Sequence, residues 1–317
     1  MPDKKIRIRR AKQQRDQIRR PVMLAVAGDS AAGKTTLVRG LVQALGEDRS
    51  TGICVDDYHR YDRAQRKTMP FTPLHPDCNY LDVMEQHLQL LASGEPILKP
   101  SYDHSTGELV RPEYVAPRDF VIVEGLLPLH SAVAQACFDI TVYLDPPESI
   151  RHQWKISRDC ADRGYSRDAV VAELERREPE SEAFIRPQRA RADIIVRFAP
   201  IPQRDDPVGT PLSAELALRP TIKHPDLLSV VGEDQQKAMH TRLQRDDDGR
   251  PVDAVHVHGY ATSEDSKIVQ KAIWDSIGHT DPLPESLGTI KPGVRSEPLA
   301  VTQLILLFHL LQVAGDL

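Results

Sequence analysis

The segment Gly28-Asp29-Ser30-Ala31-Ala32-Gly33-Lys34-Thr35 fits the pattern G-x-x-x-x-G-K-[ST], and its flanks decide what it can be. Residues 22–27 before it form an apolar run of strand length, and residues 34–45 after it repeat apolar side chains at helical spacing. A strand, a glycine-rich turn and a helix in that order make a phosphate-binding loop. The glycines let backbone N–H groups turn toward phosphate oxygens, and the helix N-terminus adds the positive end of its dipole. Lys34 is placed to reach the β and γ oxygens, and Thr35 to offer a hydroxyl to Mg²⁺. Contacts to ATP are expected from Gly28, Asp29, Ser30, Ala31, Ala32, Gly33, Lys34, Thr35 and Thr36.

Further apolar runs at residues 52–55, 120–123, 140–144 and 194–198 alternate with helical spacing at 81–91 and 149–163. This alternation predicts an α/β fold whose mostly parallel sheet lies between helices. Residues 200–220 turn rich in Pro and Asp and lose their periodicity, which reads as a connection. The expected organisation is a basic leader over 1–20, a core over 21–200 and a mixed α/β extension over 201–317. Within the extension, Asp246-Asp247-Asp248-Gly249 reads as a turn feeding a strand at 252–257, and 263–277 reads as a helix.

Charge and composition remove several classes of function. A net charge of −5 speaks against general nucleic-acid binding, and the leader has no apolar core of the kind a secretory signal needs. The apolar run at 301–313 contains Gln303, His309 and Gln312 and reads as a buried helix, not a membrane span. Four cysteines (Cys54, Cys78, Cys137, Cys160) show no C-x-x-C spacing, which suits reduced thiols in the cytoplasm. His256 and His258 alternate along an expected strand without a third ligand and read as ordinary strand histidines.

A phosphate loop alone does not choose among nucleotide enzymes. Asn79 is the only asparagine, so the guanine-reading N-K-x-D motif is absent, and there is no L-S-G-G-Q element of transport ATPases. The strand at 120–123 ends in Glu124, a carboxylate placed to act on Mg²⁺ or its waters. Asp56 and Asp57 end the apparent second strand, where a kinase acting on an alcohol needs a base beside the γ-phosphate. Arg63, Arg66 and Lys67 follow within a few residues and suit an anionic acceptor. Lys155, Arg158 and Asp159 fall on one helical face, with Arg163 a turn further on.

These motifs, taken together and in order, resemble the phosphoribulokinase and uridine kinase family. The resemblance runs from about residue 22 to 198 and is carried by GDSAAGKTT, ICVDDYHRYDR, TPLHPDCNYLDVM, KPSYDHSTGEL, VIVEGLLPLH, WKISRDCADRGYS and FIRPQRARADIIV. Within it, Tyr102-Asp103-His104-Ser105-Thr106-Gly107 looks like the phosphoribulokinase version, because uridine kinases usually carry Y-D-F followed by H-x-R. The resemblance implies a P-loop kinase core and transfer of the ATP γ-phosphate to the C1 hydroxyl of ribulose 5-phosphate, a step of the Calvin cycle. It implies Asp56 as base, with His59, Arg63, Tyr102 and His104 on the sugar phosphate. It also implies Lys155 and Arg158 on the transferring phosphoryl with Asp159 positioning them, Lys34 among the catalytic residues, and Arg163, Arg176 and Arg177 among the substrate-binding ones, of which Arg176 and Arg177 look like the arginines of a closing lid. The expected cofactors are ATP and Mg²⁺, held by Thr35 and Glu124; the expected partners are small molecules and, as a homodimer, a second copy.

Plant members carry a switch cysteine in the phosphate loop and another just before the paired aspartates. Here Cys54 keeps the second position and Ala32 stands at the first, so no disulfide switch of that kind is expected. Two alternatives stay open: a kinase of the same fold acting on uridine or another sugar phosphate, and a non-catalytic ATP-binding regulator.

Overall fold

Strand β1 (Val22–Gly28) is buried along its whole length. It lies centrally because a run of Val, Leu and Ala has both faces to cover. The computed structural model describes residues 20–202, 204–207, 209–231, 237–278 and 282–315, so the basic leader, Arg20 apart, lies outside the described residues. Parallel to β1 run β2 (Ser50–Cys54), β5 (Phe120–Gly125), β6 (Ile140–Leu144) and β7 (Ile194–Ala199). The sheet then continues antiparallel through β8 (Ser213–Leu218), β10 (Pro251–Val257) and β9 (Met239–Arg245), in the order β2-β5-β1-β6-β7-β8-β10-β9. The expected parallel sheet is therefore there, and three strands of the extension are part of it. The segment at 200–220 holds β8 as well as a connection.

Two elements differ from the sequence reading. The second strand ends at Cys54, and residues Val55–Tyr58 form a tight 3₁₀ turn, which lifts Asp56 and Asp57 off the sheet. Strands β3 (Ile97–Asp103) and β4 (Glu108–Val115) pair as a separate hairpin that pattern had not marked. Seven of the eight β4 residues are exposed, so no buried face imposes an alternation.

Helices cover both faces. Helix α1 (Lys34–Leu45) packs Leu37, Val38, Leu41 and Leu45 against β1 and β5 in the larger core cluster. Helix α2 (Leu81–Ala92) packs Leu81, Met84, Leu88 and Leu91 on the opposite side. Helices α3 (Glu148–Arg163) and α4 (Arg167–Glu180) follow β6; α5 (Ser263–Ser276) and α6 (Glu297–Ala314) belong to the extension. The apolar run at 301–313 is the heart of α6, which is long and apolar enough to cross a membrane yet has 78% of its length buried inside the protein. A helix apolar all round is a core helix when neighbours cover it, and here α1, α5 and β8 do. At Gly40 α1 leaves no room for a side chain: a Cβ there would overlap the Gln303 amide of α6.

Candidate active site

Register brings the site to one end of the parallel strands. Glu124 pairs with Val26 of β1 and Cys54 of β2, and Gly28 pairs with Leu144 of β6, so the first loop, the second-strand turn and the β5 carboxylate emerge side by side. The loop itself needs its glycines. Gly28 (φ 149°) passes so near β6 that a Cβ would stand 2.8 Å from the Leu144 carbonyl, and Gly33 (φ 97°) lies in left-handed backbone before α1. Ala31 is the one non-glycine described residue with positive φ, 63°.

Lys34 is buried and its Nζ donates to the carbonyls of Gly28 (2.9 Å) and Asp29 (2.8 Å), curling back over the loop. Burial lowers its pKa, opposed by Glu124, Asp56 and Asp29. Thr35 Oγ1 donates to Glu124 at 2.9 Å. Burial raises the Glu124 carboxyl against the pull of Lys34 and the Thr35 hydrogen bond.

The two aspartates have different employment. Asp57 pairs with the buried Lys99 of β3 and accepts the Tyr102 N–H at 3.0 Å, so it fastens the hairpin to the core. Among the described residues, the Asp56 carboxylate has neither a hydrogen bond nor an ion pair, and it lies in the field of Lys34, Glu124 and His59. His59 is buried, held by Asn79 at 2.7 Å, and stands edge-on to Tyr102. Burial lowers its pKa, opposed by Asp56.

Arg66 lies over the Tyr102 ring at 4.8 Å and donates from Nη2 to the Tyr102 hydroxyl. Among the described residues its Nη1 is buried without a partner, an unmet donor beside His59 and Tyr102. The Arg63 guanidinium, expected on the sugar phosphate, is spent on the carbonyls of His104 and Ser105, where it holds the hairpin turn. His104 is exposed at that turn, close to Asp56 and Cys54.

Helices α3 and α4 come over the loop from the other side. Asp159 accepts from Lys155 Nζ and Arg158 Nε, both at 2.9 Å, and Arg163 reaches it at 3.5 Å. Burial works to raise the Asp159 carboxyl, but the hydrogen bonds from Arg158 and Lys155 outweigh it and hold it low. Burial, then Arg177, lowers Lys155. Lys155 and Arg177 line one recess with Asp29, Ser30, Arg151 and Ser181. Arg176 turns away, toward the Phe71 carbonyl and Glu173, and Arg163 stays exposed. Thr36 uses its carbonyl on Gln303 of α6.

Four contributors escaped the sequence reading: Lys99, Asn79, Arg151 and Ser181. Arg151 pairs with Asp29 at 3.5 Å and the Ser181 hydroxyl donates to Asp29. Ser181 gets there because Pro179, without an N–H, sits near the end of α4 and the next turn widens to a π-turn, Ser181–Ile185. No local pattern announces a contact across 152 residues.

Comparison with known proteins bears on this arrangement. The family model described as "Phosphoribulokinase / Uridine kinase family" matches residues 23–204, which is more than half of the chain. The chain belongs to this family. Among curated members, it is 39% identical over 207 residues to the phosphoribulokinase of Synechocystis sp., covering 65% of this chain and 62% of that protein. It is 34% identical over 226 residues to the chloroplastic phosphoribulokinase of Triticum aestivum, covering 65% and 55%. A uridine kinase of Chloroflexus aurantiacus is 30% identical over 181 residues, covering 55% and 86%. The chain thus spans somewhat over half the length of the curated phosphoribulokinases it matches. A solved phosphoribulokinase from Rhodobacter spheroides superposes with a TM-score of 0.57 at 18% identity, over 81% of this chain and 97% of that one, a likeness of fold.

Proposed function

We propose that this member of the phosphoribulokinase and uridine kinase family transfers the γ-phosphoryl group of ATP to the C1 hydroxyl of ribulose 5-phosphate. The observation that carries the reading is that, among the described residues, an uncommitted carboxylate, Asp56, and an unmet buried guanidinium donor, Arg66 Nη1, both act on the same buried imidazole, His59. A base with no partner suits an alcohol, and an unmet guanidinium donor suits an anionic acceptor. The relatives named phosphoribulokinase support the same acceptor.

In this reading the loop amides and Lys34 hold the β and γ phosphates, and Asp56 takes the C1 hydroxyl proton as the oxygen attacks. Arg66, His59 and Tyr102 seat the 5-phosphate. Lys155, with Arg158 and Arg177 beside it, neutralises charge on the transferring group, and Asp159 keeps Lys155 and Arg158 in place. Thr35 and Glu124 offer hard oxygen donors that fit Mg²⁺, which when bound neutralises phosphate charge. Because α3 and α4 reach Asp29 and Ser30, they serve as the cover that keeps water from the γ-phosphate.

The test is ADP release with Mg²⁺ and ATP, comparing ribulose 5-phosphate, ribose 5-phosphate and uridine. Turnover is expected with ribulose 5-phosphate, and Asp56→Asn lowers it by about 10²- to 10⁴-fold while nucleotide binding persists. Turnover confined to uridine or ribose 5-phosphate would displace the acceptor. ATP binding without any acceptor-dependent release would displace the kinase reading.

A further inference from the structure

Three side chains of different ligand type converge beside the phosphate loop: the Cys54 thiol at the end of β2, the Asp56 carboxylate in the 3₁₀ turn and the His104 imidazole at the tip of the β3–β4 hairpin. One donor atom from each lies within 4.8 Å of the other two. Among the described residues, no hydrogen bond engages the Asp56 carboxylate or the His104 ring. We infer that Cys54, Asp56 and His104 form an inhibitory site for a thiophilic divalent cation of the zinc class, separate from the Thr35 and Glu124 oxygens that suit Mg²⁺.

Ligand chemistry argues for that class. One thiolate, one imidazole and one carboxylate make a three-ligand set that leaves a fourth position for water, and the hard Mg²⁺ ion has little use for sulfur. Geometry sets what must move. Metal–ligand bonds of about 2.0 to 2.3 Å at tetrahedral angles put ligand atoms roughly 3.3 to 3.8 Å apart. The present spread, up to 4.8 Å, is thus up to about 1.5 Å too wide. Cys54 and Asp56 are fixed by β2 and its turn, while the exposed His104 side chain, its backbone held by Arg63 and its ring edge-on to Tyr102, must close the gap by rotating.

The local field favours a cation. Three carboxylates, Asp56, Glu124 and Asp57, lie near Cys54, against one ammonium, Lys34. Coordination replaces the S–H bond with a metal–sulfur bond and releases one proton to solvent. No redox change is involved. The inhibitory consequence rests on the kinase reading above: an ion on Asp56 removes the base and blocks the acceptor.

The experiment uses the full chain without nucleotide, titrated with Co²⁺ and then with Zn²⁺. One equivalent of Co²⁺ is expected to give a sulfur-to-cobalt charge-transfer band, which Zn²⁺ abolishes by displacement. Cys54→Ser, with circular dichroism confirming its fold, loses the band. His104→Gln, at an exposed position, weakens cobalt affinity by at least about tenfold. A wild-type chain without the band, a band that survives Cys54→Ser, or an affinity indifferent to His104→Gln overturns the site. The spectra need no turnover, so they stand even if no acceptor is found. If the acceptor assay succeeds, Zn²⁺ at one equivalent suppresses it and a chelator restores it; turnover unaffected by bound Zn²⁺ overturns the inhibitory part.

Discussion

Asp56 and Asp57 are neighbours of the same type, and their separate duties come from one lysine on another element. Lys99 and Asp57 are both largely buried, and each is the other's compensation. Removing the lysine leaves a carboxylate shut away from water, so Lys99→Met is expected to destabilise the fold by about 3 kcal/mol, read from urea unfolding. His309 supplies a second residue-scale prediction. Its Nδ1 lies 2.7 Å from the Ile305 carbonyl and its Nε2 faces His224 Nδ1 at 2.9 Å. Burial pushes its pKa down to about 4 from an ordinary value near 6.5. The unfolded chain therefore binds the proton more readily, and the His309 contribution is complete above about pH 6.5. It is lost as the pH falls toward about 4, to a total of about 3 kcal/mol. The urea midpoint should decline across that window, and His309→Gln should flatten the decline. The phosphate loop was legible in sequence because its requirements are local: glycine at Gly28 and Gly33, lysine and threonine opening a helix. The choice between the aspartates was not, since Lys99 stands 42 residues away.

Among elements, the contact of α1 with α6 lets strain be separated from loss of bonding. Gln303 is fully buried; its Nε2 donates to the Leu37 carbonyl at 3.0 Å and its Oε1 accepts the Gly288 N–H at 2.7 Å. A methyl at Gly40 displaces that amide. Gly40→Ala is thus expected to destabilise the wild-type chain by about 1 to 2 kcal/mol, through lost hydrogen bonds. In a Gln303→Ala background the same substitution should stabilise by up to about 1 kcal/mol, the helix propensity of alanine over glycine. Equilibrium unfolding of the four variants gives the sign directly, and two additive losses would contradict the contact. The helix α6 was readable from its apolar run, and β6 and β7 from theirs. The β3–β4 hairpin was not, because exposed strands carry no burial pattern, and β8 was hidden by the Pro-rich residues before it.

For the molecule as a whole, the antiparallel strands are structural neighbours of the parallel ones. β8 lies directly on β7, and side chains of α5, α6 and β10 share one apolar cluster with β1 and α1. A fragment ending at residue 202 would bare the β7 edge and the face of α1. Such a fragment is expected to lack a cooperative thermal transition, whereas one that melted cooperatively and bound ATP would show the core to be self-sufficient.

The amide that joins Gln303 to Leu37 spans 266 residues of chain. At a synthesis rate of about 5 to 20 residues per second, the helix behind the phosphate loop leaves the ribosome on the order of ten to fifty seconds before its covering helix is made. Throughout that interval Leu37, Val38 and Leu41 lack part of their final cover, so the nascent chain is at its most vulnerable to aggregation when its nucleotide loop has long been translated.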